Sequence, residues 1–269
     1  MAVMSTPFRV VNPGPAAAVP RLSIEDVSLA YRATRGPVLA LDQLSLKVGK
    51  GEFVSVLGPS GCGKSTLLKL VSGLLQPTAG RISLNGEPVV GTRSDVGIVF
   101  QKPTLLPWRT VLDNVLAPIR AMKGDVRAHR ENALKLLNLV GLNEFASNYP
   151  NELSGGMQQR VAIARGLAHD PEFLLMDEPF AALDALTREH MMVELQRIWM
   201  ARAKSVLFIT HSIPEAVFLS DRILVLSKRP GRVVHELAID LPRPRSLESM
   251  SEQGFNAYAK ELRQIFSKA

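Results

Sequence analysis

The chain has 269 residues, of which 46% are hydrophobic and 21% are charged, a balance that suits one globular domain with a substantial core. Its 32 Lys and Arg residues against 25 Asp and Glu residues give a formal net charge of +7, but no long basic run indicates a nucleic-acid or membrane surface. The single cysteine, Cys62, excludes an internal disulfide, and no apolar run reaches the roughly 18 residues that a transmembrane helix needs.

Residues 1–20 combine an alanine run with several prolines, and they lack the continuous apolar stretch and basic head of a signal peptide. They are therefore expected to form a flexible leader. Residues 21–245 are predicted to form one α/β domain, and residues 246–269 a helical C-terminal tail. This tail is too short for a second domain.

Short apolar segments predict strands that alternate with helices along the domain. The predicted strands are 22–31, 44–48, 53–57, 81–86, 96–100, 173–176, 205–210 and 222–226. The predicted helices are 64–73, 111–120, 126–140, 185–202 and 214–219. Such alternation implies a largely parallel sheet covered by helices, with a helical insertion over residues 102–169.

A glycine-rich stretch between a predicted strand and a predicted helix satisfies the phosphate-loop pattern G-x-x-x-x-G-K-[ST]. Its glycines let backbone N–H groups surround phosphate oxygens, and the helix N-terminus adds partial positive charge. Lys64 supplies a cation for the outer phosphates, and Ser65 can ligate Mg²⁺. The predicted nucleotide-binding residues of this loop are Gly58, Pro59, Ser60, Gly61, Cys62, Gly63, Lys64, Ser65 and Thr66.

Two acids, Asp177 and Glu178, end a buried strand on the carboxyl side. Asp177 is placed to hold Mg²⁺, and Glu178 fits a general base that polarises the attacking water. Gln101 follows another strand and can orient a water or contact Mg²⁺, while the Tyr31 ring can stack on adenine. His211 also follows a strand. Gln101 could instead be a polar surface residue, Tyr31 a core tyrosine and His211 a helix-start residue. The functional assignment of each is supported by the presence of the whole set.

A second glycine-rich stretch covers residues 153–160, in which Ser154 can cap a helix that begins at Gly155. A plain helix cap is the simpler interpretation. However, Gly155 and Gly156 are a costly helix start, unless a phosphate must approach the backbone closely. Because the first site has its own phosphate loop, a second one is useful if it closes over the nucleotide of another copy.

Together these motifs resemble the ATP-binding subunit of an ABC (ATP-binding cassette) transporter over residues 22–245. The resemblance rests on motifs in the family's order: Tyr31, residues 58–66, Gln101, residues 153–160, Asp177 and Glu178, residues 182–184, and His211. It implies a P-loop NTPase fold with a mostly parallel sheet core, an N-terminal antiparallel β subdomain and an inserted α-helical subdomain. One departure, Ala181 where many relatives carry Ser or Gly, affects no catalytic position.

The same resemblance implies a head-to-tail homodimer that sandwiches two ATP molecules with Mg²⁺. Ser154, Gly155 and Gly156 would contact the γ-phosphate bound by the partner. Asp184 would belong to the loop that couples the two sites, and His211 would contact the γ-phosphate.

Residues 105–115, 179–188 and 228–233 look most like those of bacterial importers for nitrate, sulfonate and taurine. This likeness implies a peripheral subunit at the cytoplasmic face of the inner membrane. Its partners would be integral membrane permease subunits and, indirectly, a periplasmic or lipid-anchored solute-binding protein, with no nucleic acid. Residues 105–111 could be an ordinary packed loop, but on this likeness they are expected to form a docking surface for the permease, with Trp108 as its anchor.

Two other functional classes stay open. A soluble ABC ATPase that acts on nucleic acid or ribosomes usually carries a long coiled coil or a second cassette, and neither is encoded here; a DNA-stimulated ATPase assay would separate it from a transport subunit. An ordinary P-loop kinase leaves Ser154, Gly155 and Gly156 unexplained.

Overall fold

The computed structural model describes residues 19–268 with the exception of 33, 35 and 203, so the predicted leader lies almost entirely outside the described residues. The strands are β1 (Leu22–Tyr31), β2 (Val38–Val48), β3 (Phe53–Leu57), β4 (Ala79–Leu84), β5 (Glu87–Pro88), β6 (Val96–Val99), β7 (Phe173–Asp177), β8 (Ser205–Thr210), β9 (Arg222–Leu226) and β10 (Val233–Ala238). The α-helices are α1 (Lys64–Val71), α2 (Val111–Val115), α3 (Ala117–Ala121), α4 (Val126–Leu139), α5 (Gly155–Leu167), α6 (Ala185–Arg202), α7 (Ile213–Leu219) and α8 (Gln253–Lys268). Short 3₁₀ helices cover Asn143–Phe145, Pro150–Glu152 and Glu248–Ser251.

The strands form two sheets, and this arrangement confirms the predicted fold class. A six-stranded sheet has the order β10-β9-β3-β8-β7-β6, in which β10 runs antiparallel to β9 and the other pairs are parallel. A four-stranded antiparallel sheet has the order β2-β1-β4-β5. Leu57 of β3 pairs with Thr210 of β8, and Asp177 of β7 pairs with Ile209 of β8. The carboxyl ends of these three strands therefore meet at one edge, where parallel sheets bind their ligands.

Strand β3 separates two hydrophobic clusters. Phe53 and Leu57 belong to the cluster that contains side chains of α2 and of α4 to α8, and Val54 and Val56 belong to the cluster that contains β1, β2 and α1. All four side chains are completely buried. Each such burial contributes about 1.5–3 kcal/mol, so the strand that leads into the phosphate loop is firmly held.

Between β6 and β7 the chain is helical. The predicted helix 111–120 is instead two short helices, α2 and α3, that meet at Leu116. The break has a local cause, because Pro118 lies in the first turn of α3 and has no N–H to continue the hydrogen-bond ladder. Strand β10 escapes the sequence patterns, since its side chains are exposed or half-buried and form no apolar run. No helix in the described part of the chain is long and apolar enough to cross a bilayer.

Helix α5 lies unusually close to β6 because two glycines face each other. A Cβ atom on Gly97 would lie 2.3 Å from the carbonyl oxygen of Gly166, and one on Gly166 would lie 2.7 Å from Cγ2 of Val99. The fully buried Gln159 of α5 also donates from Nε2 to the carbonyl oxygen of Phe100 at 3.1 Å. The start of α5 is thereby fixed relative to the end of β6.

The segment after β10 is packed against the rest of the chain through Arg245, which is 3% exposed. Its Nη1 donates to the carbonyl oxygens of Val217, Phe218 and Ser220 at 2.7, 3.0 and 2.8 Å. These carbonyls lie at the end of α7, where a helix leaves them without intrahelical partners. Burial lowers the pKa of Arg245 to about 10. Helix α8 follows and occupies most of the predicted helical tail.

Candidate functional site

The phosphate loop joins β3 to α1 and is closed around the Lys64 side chain. Lys64 is 7% exposed, and its Nζ donates to the carbonyl oxygens of Gly58 at 2.7 Å and Pro59 at 3.0 Å. Gly63 is the N-cap of α1, and no described side chain caps this end of the helix. The N–H groups of the first turn and a buried ammonium group are therefore available to an anion.

Two glycines of the loop are needed for different reasons. Gly63 has φ +106°, and a Cβ atom there would lie 2.6 Å from Cδ2 of Leu41 and 2.9 Å from the carbonyl oxygen of Ala40. Gly61 has φ +77°, but open space surrounds the position of its Cβ. Gly63 thus satisfies both packing and conformation, whereas Gly61 satisfies conformation and leaves the cleft open.

Cys62 lies on the inner side of the loop. Its thiol is 1% exposed and belongs to the cluster beneath the antiparallel sheet, and burial raises its pKa. The backbone N–H of Cys62 donates to the carbonyl oxygen of Pro59 at 3.3 Å. The side chain therefore fills space inside the loop.

The phosphate loop opens into a cleft of about 430 Å³. Its wall contains ten of the predicted site residues, together with Ala40 and Arg229, which the motifs do not single out. The predicted residues that line it are Tyr31, Ser60, Gly61, Gly63, Lys64, Ser65, Thr66, Gln101, Glu178 and His211. The Tyr31 hydroxyl lies 3.1 Å from Oγ1 of Thr66, so this half-exposed ring stands next to the first turn of α1.

The three predicted catalytic residues converge on one oxygen atom. Oε2 of Glu178 accepts a hydrogen bond from Nε2 of Gln101 at 3.0 Å and lies 3.1 Å from Nδ1 of His211. The Glu178 backbone has φ +44°, a conformation that is uncommon outside glycine, and its N–H donates to the carbonyl oxygen of Ile209 at 2.8 Å. Helix α7 begins at Ile213, so His211 precedes the helix and does not begin it as the sequence suggested.

Asp177 lies behind Glu178 and is 6% exposed. Burial raises the pKa of its carboxyl group, and a hydrogen bond with Ser65 opposes that shift. A hydroxyl and a carboxylate are oxygen ligands of the kind that Mg²⁺ prefers, and Mg²⁺ usually completes its shell with water and phosphate. The described residues contain no cluster of three or more His, Cys, Asp or Glu side chains that could hold a metal.

The remaining predicted residues do not line the cleft. Ser154 is the N-cap of α5 and accepts from the N–H of Met157 at 3.3 Å, and both Ser154 and Gly155 are exposed. Asp184 is also exposed and accepts from the N–H of Thr187 at 2.9 Å, a bond that lowers its pKa. The structure thus divides the predicted set into two groups on one chain.

Gly155 is not required by the fold. A Cβ atom at this position would meet no heavy atom within 4 Å, and its φ is not positive. Alanine in a helix is favoured over glycine by about 1 kcal/mol, so intrachain packing gives no reason for glycine here. The open space above Gly155 is available to something outside the chain.

A buried acid that the motifs do not identify links the two groups. Glu215 is 5% exposed, its Oε2 accepts from Oγ1 of Thr210 at 2.6 Å, and its Oε1 lies 3.7 Å from Nε of Arg188. Arg188 in turn donates to the carbonyl oxygen of Leu183 at 3.0 Å. The segment that carries His211 is thereby connected to the segment that carries Asp184. Ser212 and Glu215 have the spacing of a capping box, which predicts a helix start but not this connection.

Residues 41–181 match a protein-family model described as "ABC transporter". The chain is 50% identical over 246 residues to an uncharacterized ABC transporter ATP-binding protein, MJ0412, of Methanocaldococcus jannaschii, with 91% of each chain covered. It is 49% identical over 223 residues to the taurine import ATP-binding protein TauB of Burkholderia pseudomallei, with 83% of this chain and 86% of the relative covered.

Two solved structures of the cassette MJ0796 are similar to most of the fold. One is described as the dimeric structure of a bacterial ABC transporter cassette and has a TM-score of 0.75 at 35% identity. The other is a dimeric post-hydrolysis state bound to ADP and Pi and has a TM-score of 0.73 at 34% identity. Each comparison covers 82% of this chain and all of the cassette.

The buried Glu215 predicts a specific pH dependence. Burial raises its pKa, so the folded state binds this proton more tightly than the unfolded state, and the resulting stability is lost as the pH rises from the unfolded pKa of about 4.3 through the folded pKa. Glu215→Gln removes that loss and retains an oxygen acceptor for Thr210. The free energy of unfolding of the variant, relative to the wild type, should therefore increase between acid and neutral pH in denaturant titrations.

Glu131→Gln is the control for this measurement. Glu131 is exposed beside Lys135, which lowers its pKa, so its replacement should give a small trend of opposite sign. If the free energy of unfolding of Glu215→Gln, relative to the wild type, stayed constant or fell as the pH rose, the raised pKa of Glu215 would be contradicted.

Proposed function

Because the chain belongs to the ABC transporter family, we propose that it is the ATP-binding and ATP-hydrolysing subunit of an importer for nitrate, sulfonate, taurine or a related small organic anion. The observation that carries the ATPase part is the Glu178 carboxylate, held by Gln101 and His211 at the mouth of the phosphate loop. The substrate class is supported by the similarity to the taurine import protein TauB.

Hydrolysis follows from the arrangement around Glu178. A water molecule attacks the γ-phosphorus, its proton passes to the Glu178 carboxylate, and the bond from the γ-phosphorus to the departing ADP oxygen breaks. Gln101 and His211 orient the accepting oxygen through their contacts with Oε2. Lys64 and the N–H groups of the loop stabilise the phosphate charge, because they are already positioned before the reaction.

Ser65 and Asp177 are the residues that would hold Mg²⁺. They are hydrogen-bonded to each other, and burial raises the pKa of Asp177 despite that hydrogen bond and the nearby Lys64, so a bound cation would stabilise the charged carboxylate. When bound, Mg²⁺ supplies charge neutralisation at the phosphates.

The complete site requires two copies of the chain. Ser154 caps the exposed start of α5 and Gly155 leaves open space for a phosphate there, yet Ser154, Gly155 and Gly156 do not line the cleft of their own chain. A symmetric dimer in which each copy covers the other's cleft brings these groups onto the nucleotide. Asp184 then lies at the same interface, connected to His211 through Arg188 and Glu215.

The connection between β6 and α2 offers a docking surface for the permease. Trp108 is 69% exposed, whereas Asn114 is completely buried. The Asn114 side chain accepts from the N–H of Leu106 at 2.7 Å and donates to the carbonyl oxygens of Leu106, Arg109 and Thr110 at 3.1, 3.1 and 3.0 Å. A rigid loop that presents an aromatic side chain has the character of an interface anchor.

These partners determine the cellular location of the subunit. We assign it to the cytoplasmic face of the inner membrane, where ATP is available, as a peripheral subunit bound to integral permease chains. A periplasmic or lipid-anchored protein would deliver the solute on the other side.

The shared site predicts complementation between two inactive variants. Lys64→Ala removes the phosphate-loop cation, and Ser154→Arg blocks the helix start, so each variant alone should lose ATPase activity. Mixed dimers contain one site with an intact phosphate loop and an intact Ser154, and random pairing should restore up to about a quarter of the wild-type rate. Phosphate release after mixing is the measurement.

Ser147→Arg, a change at another exposed serine, is the matched control and should keep its activity unaided. The absence of any recovery, in mixtures shown by native mass spectrometry to contain mixed dimers, would contradict a site built from two chains.

Glu178→Gln should bind ATP but lower kcat by about 100-fold or more, because glutamine cannot accept the proton of the attacking water. Nucleotide should remain trapped in a dimer that is visible by size-exclusion chromatography. The exposed Glu144→Gln should hydrolyse ATP normally. A near-normal rate for Glu178→Gln would show that another group is the base.

Trp108→Ala should weaken binding of the purified permease subunits by about tenfold or more, since central aromatic anchors carry much of an interface's binding energy. Val90→Ala, at a residue that is 83% exposed on a different part of the chain, is the control. Equal permease affinity for the two variants, measured by biolayer interferometry, would remove Trp108 from the interface.

A further inference from the structure

The loop between β9 and β10 is anchored to the phosphate loop. Gly231 donates from its N–H to the carbonyl oxygen of Ala40 at 2.9 Å and accepts from the N–H of Asp42 at 3.2 Å. A Cβ atom on Gly231 would lie 2.2 Å from the carbonyl oxygen of Cys62, so only glycine permits this approach. The loop therefore has a fixed position relative to both β2 and the phosphate loop.

Hydrogen bonds within the loop also fix its shape. The N–H of Ser227 donates to the carbonyl oxygen of Arg232 at 3.0 Å, and Oγ of Ser227 accepts from the N–H of Arg232 at 3.1 Å. The same Oγ lies 2.8 Å from the carbonyl oxygen of Pro230, and Arg232 forms an ion pair with Asp42. The backbone at Arg229 is consequently held from both sides.

Arg229 projects a cation into the nucleotide cleft. It is exposed and lines the same cleft as Tyr31 and Lys64, whereas the neighbouring Lys228 does not. Among the described residues, Arg229 has no hydrogen-bond or ion-pair partner. A second cationic residue in the wall of the cleft that contains Lys64 favours an anion with several charges.

The strand order indicates which end of the nucleotide Arg229 faces. Gln101, Glu178 and His211 follow β6, β7 and β8, which lie on one side of β3, whereas Arg229 follows β9 on the other side. The anchor of its loop is Ala40 on β2, the strand that pairs with β1 up to Tyr31. Arg229 thus lies across the phosphate loop from the hydrolytic residues, on the side of the predicted adenine-stacking ring.

We propose that Arg229 is a nucleotide-binding residue that contacts the base, ribose or α-phosphate end of ATP. This assignment rests on the proposed function of the cleft. Because the contact does not involve the γ-phosphate, Arg229 raises the affinity for ATP and ADP to a similar extent. Its planar guanidinium group can stack on the base or form paired hydrogen bonds with an α-phosphate, and both interactions are stronger for Arg than for Lys.

The test compares Arg229→Ala with Lys228→Ala, which removes the same charge one residue away. Isothermal titration with ATP and with ADP should show both dissociation constants raised about tenfold by Arg229→Ala and nearly unchanged by Lys228→Ala. Arg229→Lys should lie between the wild type and Arg229→Ala. In ATPase assays, Arg229→Ala should raise KM for ATP and leave kcat nearly unchanged. Thermal melting should show that both loop variants are folded.

Two outcomes would overturn the assignment. Equal affinities for Arg229→Ala and Lys228→Ala would remove Arg229 from the nucleotide site, and a loss confined to ATP would place its contact at the γ-phosphate. If the wild type binds ATP and ADP and Lys64→Ala does not, this cleft is confirmed as the nucleotide-binding site. If the wild type bound neither nucleotide, the function proposed for the cleft would be wrong, and the role of Arg229 with it. Normal binding by the wild type with equal affinities of the two loop variants would contradict the role of Arg229 alone.

Discussion

The parallel pairing of β3 with β8 on one side and β9 on the other is the constraint on which the site depends. Leu57 at the end of β3 pairs with Thr210 of β8 and with Val225 of β9. The chain that leaves β8 must therefore begin beside the phosphate loop, and the chain that leaves β9 runs close by. A slip of one residue would turn every side chain to the other face of the sheet, so the core and the site are specified by the same register.

The sequence predicts best the parts whose signals are local. Strands β3, β8 and β9 have the predicted bounds, since buried parallel strands form continuous apolar runs, and the bounds of helix α6 also agree. Glu215 and Arg229 could not be assigned in this way, because their surroundings include residues far away in the chain, Arg188 for Glu215 and Ala40 for the loop that carries Arg229. The split between α2 and α3 can be predicted from Pro118. Strand β10 cannot be predicted from an apolar run, because its side chains are exposed or half-buried.

Glycines in this chain are present for two different physical reasons. Gly97 and Gly231 are required by atoms of the same chain, which leave no room for a Cβ atom. Gly155 has open space around it, and its identity is explained only by something that approaches from outside. Of these three, only Gly155 is predicted from the sequence to serve binding, and the packing around each position separates a requirement of the fold from a requirement of binding.

The hydrogen bond between Gln101 and Glu178 has a consequence in terms of thermodynamic linkage. Gln101 and Trp108 belong to one short connection, whose far end is held by Asn114, so a displacement at the proposed permease surface would be passed on toward the Glu178 oxygen that Gln101 contacts. Coupling of this kind is reciprocal for binding free energies. By whatever factor the permease changes the affinity of the subunit for ATP, ATP must change its affinity for the permease by the same factor.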